Sequence, residues 1–120
     1  ERLLALMATE AADFTNLFAA LSDGTARDHI MDQTAFAAWE RDWRAAGPDL
    51  AAMARVNPRI IPRTHLIEAT IKSGVSGDFA PFHAMLAAVT APYAALDAAR
   101  APFARAPLDH ERVLRTFCGT

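Results

Sequence analysis

Cys118 is the one cysteine of the chain and the side chain best suited to covalent chemistry; it stands third from the end in Phe117-Cys118-Gly119-Thr120. Order and burial are weakest at a chain end, so packing offers little reason for a thiol there and its reactivity offers one. A single thiol closes no disulfide within these residues. Any partner lies on another polypeptide or on a part of the protein outside this sequence. Two readings stand at this point: an incidental terminal thiol, or a redox-active one.

The rest of the chain adds no catalytic partner to that thiol. The four histidines, His29, His65, His83 and His110, are scattered and make no HxxxH pair. With no second cysteine beside them, no metal site is expected, only solvent-facing or helix-end histidines. Glu40/Asp42 and Asp109/Glu111 are the closest acid pairs, with Glu10/Asp13 and Asp28/Asp32 about a helical turn apart. Acid–base catalysis needs two carboxyls in opposed environments, and neighbours on a solvated helix face do not supply them. Nucleotide-binding, nucleophile-elbow and metalloprotease motifs are missing. Gly74-Val75-Ser76-Gly77 reads as a helix–helix connection, so this segment is expected to hold no cofactor and no catalytic residue.

A second group with a defined geometry is Asn57-Pro58-Arg59-Ile60-Ile61-Pro62-Arg63. Two prolines fix a short extended link, which holds the guanidinium groups of Arg59 and Arg63 in a set relation. One reading has the arginines pairing with nearby acids or carbonyls and Asn57 capping a helix end. The other has Asn57, Arg59 and Arg63 docking the helices against another domain.

The elements that must position these residues are helices. Leu4, Met7, Ala11, Phe14, Phe18 and Leu21 form one apolar stripe, closed by Ser22-Asp23-Gly24. A second helix over about 32–46 presents Phe36, Trp39 and Trp43 inward, with Glu40 and Arg44 as an i,i+4 pair. A short helix from Asp49 stops at Asn57-Pro58. Pro62 leads a helix to about Ser73 with Leu66, Ile67, Thr70 and Ile71 inward and Glu68 and Lys72 paired outside. Asp78 caps a fifth helix whose stripe is Phe79, Phe82, Leu86 and Val89. Beyond Thr90, Pro92, Pro102 and Pro107 interrupt an alanine-rich stretch anchored by Tyr93 and Phe103, where only a short helix over about 94–100 fits. No segment alternates with period two. The expectation is an all-α fold of about five short helices packed as an irregular bundle. It has a helical region, 1–90, and an extended Pro/Ala-rich C-terminal tail, 91–120, ending on Cys118.

Composition bounds the class. At 120 residues and 52% apolar the chain has enough for a core, although much of it is alanine. A net charge of −2 supplies no basic footprint for nucleic acid. Lys72 is the one lysine, so arginine carries nearly all the positive charge. No apolar run approaches the roughly 20 residues of a membrane span, and no signal-peptide pattern opens the chain. A reducing, cytoplasmic setting is the default for one cysteine. With no initiator Met and a helical opening, the chain reads as a fragment. A fragment is expected to self-associate through exposed aromatics such as Phe14/Phe18 and Trp39/Trp43.

The ordered motifs resemble one family. Asp13-Phe14-Thr15-Asn16 with Phe18 and Leu21 looks like the DFT…F..L helix of the SelO family, and Trp39 to Arg44 resembles its W…WR helix. Asn57 to Arg63, Glu68-Ala69, Gly77-Asp78-Phe79, Pro92-Tyr93 and Thr116-Phe117-Cys118-Gly119-Thr120 follow in the same order, covering nearly the whole chain. Thr64 departs from the family, which usually has Asn there. The resemblance implies a parent protein with a protein-kinase-like fold that moves AMP from ATP to hydroxyl side chains of protein substrates, using Mg or Mn. The nucleotide- and metal-binding residues of that family belong to its kinase-like portion, and no segment here matches them. The family's terminal cysteine pairs with a cysteine near the active site, a role that carries over only to Cys118. The implied work of this region is to support the kinase-like domain and to carry a redox-regulatory cysteine. A free-standing helical protein-interaction module is the competing reading.

Overall fold

Every regular element of the computed structural model is a helix, as the periodicity predicts; the structure describes residues 1–116, and among them no strand forms. Seven α-helices occur among the described residues: α1 (Arg2–Glu10), α2 (Phe14–Asp23), α3 (Gln33–Ala45), α4 (Leu50–Val56), α5 (Thr64–Val75), α6 (Ala80–Val89) and α7 (Ala101–Ala104). Single 3₁₀ turns occupy Ala26–His29 and Asp109–Glu111. Among the described residues no helix is long and apolar enough to cross a membrane. The chain divides into two compact units, Glu1–Arg59 and Ile60–Thr120, so the division falls inside the Pro-fixed link.

The first unit holds α1 to α4. The stripe that spans Leu4 to Leu21 in the sequence is broken in the structure, because Ala11 takes a left-handed conformation (φ 52°) and ends α1. Asp13 then starts α2 afresh, its carboxylate accepting the Asn16 N–H at 2.9 Å. The break rotates α1 relative to the expected stripe, so that Leu3 and Met7 are buried and Leu4 is exposed. Gly24 closes α2 with φ 83°, a conformation that glycine adopts without the Cβ clash. Asp32 and Asp49 cap α3 and α4 through the N–H groups of Ala35 (2.9 Å) and Ala52 (2.8 Å).

Leu3, Met7, Leu17, Ala20, Leu21, Ala26, Ile30 and Phe36 form one apolar cluster, with Trp39, Trp43 and Met53 packed on it. Phe36 is 0% exposed, which stabilises this unit by roughly 1.5–3 kcal/mol relative to leaving it in water. Trp39 stacks on Trp43, with centroids 5.3 Å apart, and packs tilted against Phe36 at 5.6 Å. Glu10 reaches across to cap a second chain segment, accepting the N–H groups of Met31 and Asp32, each at 2.6 Å.

The second unit has a smaller core. Ile60, Ala88 and Ala104 are its buried apolar residues, with Val89 and Phe103 packed on them. α5 begins two residues later than expected and runs on through Gly74 to Val75. It packs on α6 across a connection turned at Gly77 (φ 91°). Asp78 accepts the Ala80 N–H at 3.0 Å at the start of α6. The helix expected over 94–100 is replaced by turns. There the Asp97 carboxylate takes the Arg100 N–H at 2.9 Å, competing with the helical backbone, and α7 starts only at Ala101.

Candidate functional site

The link from Asn57 to Arg63 is where the sequence concentrates its candidate residues. α4 stops because Pro58 disfavours helical geometry at Asn57, which is extended (φ −100°, ψ 105°) and gives its backbone N–H to the Met53 carbonyl. Arg59 belongs to the first unit, where its Nη1 donates to the Asp23 carboxylate at the end of α2, 2.7 Å away. Burial pushes the Asp23 carboxyl up, but hydrogen bonds from Thr25 and Arg59 outweigh it and leave the group below its ordinary value. This pair is a quarter to a third exposed, so it contributes at most about 1 kcal/mol.

Arg63 belongs to the second unit and is buried. It stands as the N-cap residue of α5, and its Nη2 donates to the Ala104 carbonyl at 3.0 Å, joining the start of α5 to α7. Arg59 and Arg63, four residues apart, thus each have a hydrogen-bond partner within their own unit.

The sequence did not flag the polar group beside Arg63. His65, in the first turn of α5, is buried, and its Nε2 has no hydrogen-bond partner. Burial lowers its pKa, the positive charges of Arg105 and Arg63 act in the same direction, and Glu111 opposes them. Arg105 donates to Glu111 Oε1 at 2.7 Å, and Leu108 gives its N–H to Oε2 at 2.9 Å. These bonds hold the Glu111 carboxyl down at about 2. Nothing in the spacing of Arg105 and Glu111, on either side of Pro107, singles them out in the sequence. Chemically the group buttresses a loop: a buried imidazole lies near a closed Arg–Glu pair, with no hydroxyl nucleophile bonded to its Nε2 among the described residues.

In the first unit, Glu40 and Arg44 meet as their spacing predicts (2.7 Å), and Arg27 joins them from the 3₁₀ turn at 2.8 Å. Burial raises the Glu40 carboxyl, but the two guanidinium groups more than offset this and hold it below its ordinary value. Among the described residues no three histidine, aspartate or glutamate side chains converge to hold a metal ion. Of the aromatic pairs expected at the surface, Phe14 is exposed and stacks on half-buried Phe18 at 4.4 Å, while Trp39 and Trp43 are half-buried. Cys118 lies outside the described residues.

No family model matches the chain, and no solved structure matches it. Curated relatives do. A protein from a Ruegeria species is 46% identical over 98% of this chain and 26% of its own length, and it is named protein nucleotidyltransferase YdiU. Proteins of the same name from Roseobacter denitrificans and Mycolicibacterium paratuberculosis are 43% and 40% identical over all of this chain, each again over 26% of its own length. The chain thus spans about a quarter of the length of the curated relatives it matches. These relatives, protein nucleotidyltransferases named YdiU, make up the SelO family, and the chain matches a C-terminal region of that family.

Proposed function

We propose that this chain is a non-catalytic helical region of a SelO-type protein adenylyltransferase, supporting a kinase-like portion that binds ATP with Mg or Mn and transfers AMP to hydroxyl side chains of other proteins. One observation carries the reading: 40–46% identity across 98–100% of the chain with proteins named nucleotidyltransferases, three-quarters of whose length lies outside the match. The link bearing Asn57, Arg59 and Arg63 positions this region against the kinase-like portion. Cys118 serves as a redox latch: two thiols lose two electrons and two protons to a cellular disulfide or peroxide oxidant, and the new S–S bond fixes the terminal segment near the active site. In a reducing compartment such a bond is transient and regulatory.

AMP transfer by the full-length polypeptide tests the reading. We expect labelling of protein substrates from ATP, with a response to oxidant that the Cys118→Ser variant lacks. A full-length polypeptide that transfers no AMP overturns the enzyme assignment. Identical redox responses of the two forms remove the latch. Micromolar ATP binding by the 120-residue chain alone, measured by calorimetry, would place the nucleotide site within these residues, contrary to the proposal.

A further inference from the structure

α6 is apolar around its whole circumference, with His83 its one polar side chain between Ala80 and Val89. A helix of that composition belongs in an interior. Yet within its unit only Ala88 of this helix is buried. Of the stripe read from the sequence, Val89 packs on the core, but the other three face outward: Phe79 is 58% exposed, Phe82 43% and Leu86 45%, and α5 adds Ile71 at 55% and Val75 at 84%. Thr70, Ile71, Gly74, Val75, Phe79 and Phe82 line one open groove of about 290 Å³.

Gly74 lies in that groove, inside α5, where glycine costs about 1 kcal/mol relative to alanine. Nothing in the unit demands it. A methyl group there would meet only the Phe79 ring at an ordinary 3.6 Å. A small residue that no close contact in the unit requires, set beside exposed aromatics, suits the close approach of another surface.

We propose that the α5–α6 face, centred on Ile71, Gly74, Val75, Phe79 and Phe82, is an intramolecular interface covered by an apolar surface of the same polypeptide from outside the matched region. This rests on the reading of the chain as one region of a longer protein. The family's length names the occupant: the relatives carry about three-quarters of their residues outside the region matched here. A groove of isoleucine, valine and phenylalanine takes apolar side chains, and it holds no cation for an acidic peptide or a nucleic acid.

The test places p-benzoylphenylalanine at Phe82, and separately at Val75, in the purified full-length polypeptide, and maps photo-crosslinks by mass spectrometry. The expected product is a crosslink within one polypeptide, from either position to residues outside these 120. Crosslinks joining two copies, crosslinks confined to 60–116, or none would each overturn the proposal. Exchange of α6 amides in full-length Phe82→Asp and Ile71→Asp is expected to accelerate at least about tenfold over the parent protein; unchanged exchange in both overturns it as well. AMP transfer measured on the same samples separates the two assignments. Crosslinks without AMP transfer leave the interface and remove the enzymatic reading, and AMP transfer without crosslinks does the reverse.

Discussion

The two units treat their apolar residues in opposite ways. In Glu1–Arg59, Leu3, Met7, Leu17, Leu21 and Phe36 come from three helices and Ile30 from the residue after a 3₁₀ turn, and each finds its cover within the unit. Among the described residues of Ile60–Thr120, two of the three buried apolar residues are alanines, while Ile71 and Val75 of α5 and Phe82 and Leu86 of α6 look outward. Amphipathic patterning decides which side of a helix is apolar. It does not decide whether the covering surface belongs to the same unit. The first unit closes its core with its own chain, and the second presents half of an interface.

That contrast can be broken from either side. Phe36→Ala should cost about 3–5 kcal/mol, since it removes a fully buried ring whose neighbours cannot collapse into the space. Both tryptophans, Trp39 and Trp43, pack on this cluster, so urea unfolding followed by their fluorescence reads it directly. A loss under 1 kcal/mol would mean that the first core is no better closed than the second. Next in size is Glu40→Leu, which strips the acceptor from Arg27 and Arg44 and should cost about 1–3 kcal/mol.

The same glutamate makes a pH prediction. Its folded pKa is depressed, so its contribution is present above the ordinary carboxylate pKa and is lost as pH falls through the lower folded value. Between pH 5 and the acid limit, roughly the span in which a salt-bridged carboxylate is titrated, Glu40→Gln should show a shallower loss of tryptophan-monitored stability than the parent chain. Parallel curves would place the acid sensitivity elsewhere. The smallest effect sharpens the comparison from the other side: Ile71→Asp in this chain should shift thermal unfolding by no more than about 0.5 kcal/mol, because an exposed side chain has little to lose. A core-sized loss there would show that the α5–α6 face is already packed.

The helices themselves were largely legible in the sequence. Gly24, the Asp32 and Asp49 caps and Asn57-Pro58 mark starts and stops through local chemistry, and the structure uses all of them. The break at Ala11 was not legible, because alanine gives no sign of a left-handed conformation and the stripe happens to stay in phase across it. For α6 the apolar stripe was legible, but not that only Val89 of its four residues packs inward. Its register was visible in the residues, but the surface that would cover it was not. Within the link, the Pro-fixed extension was predictable. The seating of Arg63 was not, because its carbonyl acceptor lies 41 residues away. His65 gave no signal that distinguishes a buried imidazole from the exposed ones.

The seating of Arg63 has a consequence for how variation in this protein would read. One acceptor of its guanidinium is the peptide oxygen of residue 104, which every amino acid carries. Ala104 is itself buried, so substitutions there register through volume alone, whereas substitutions at Arg63 register through charge and hydrogen bonding. The two positions depend on each other physically, yet no exchange at one can be compensated by an exchange at the other. A mutational scan or a covariation table would therefore record them as unrelated, and the tie between the start of α5 and α7 would be missed by any method that looks for paired side chains.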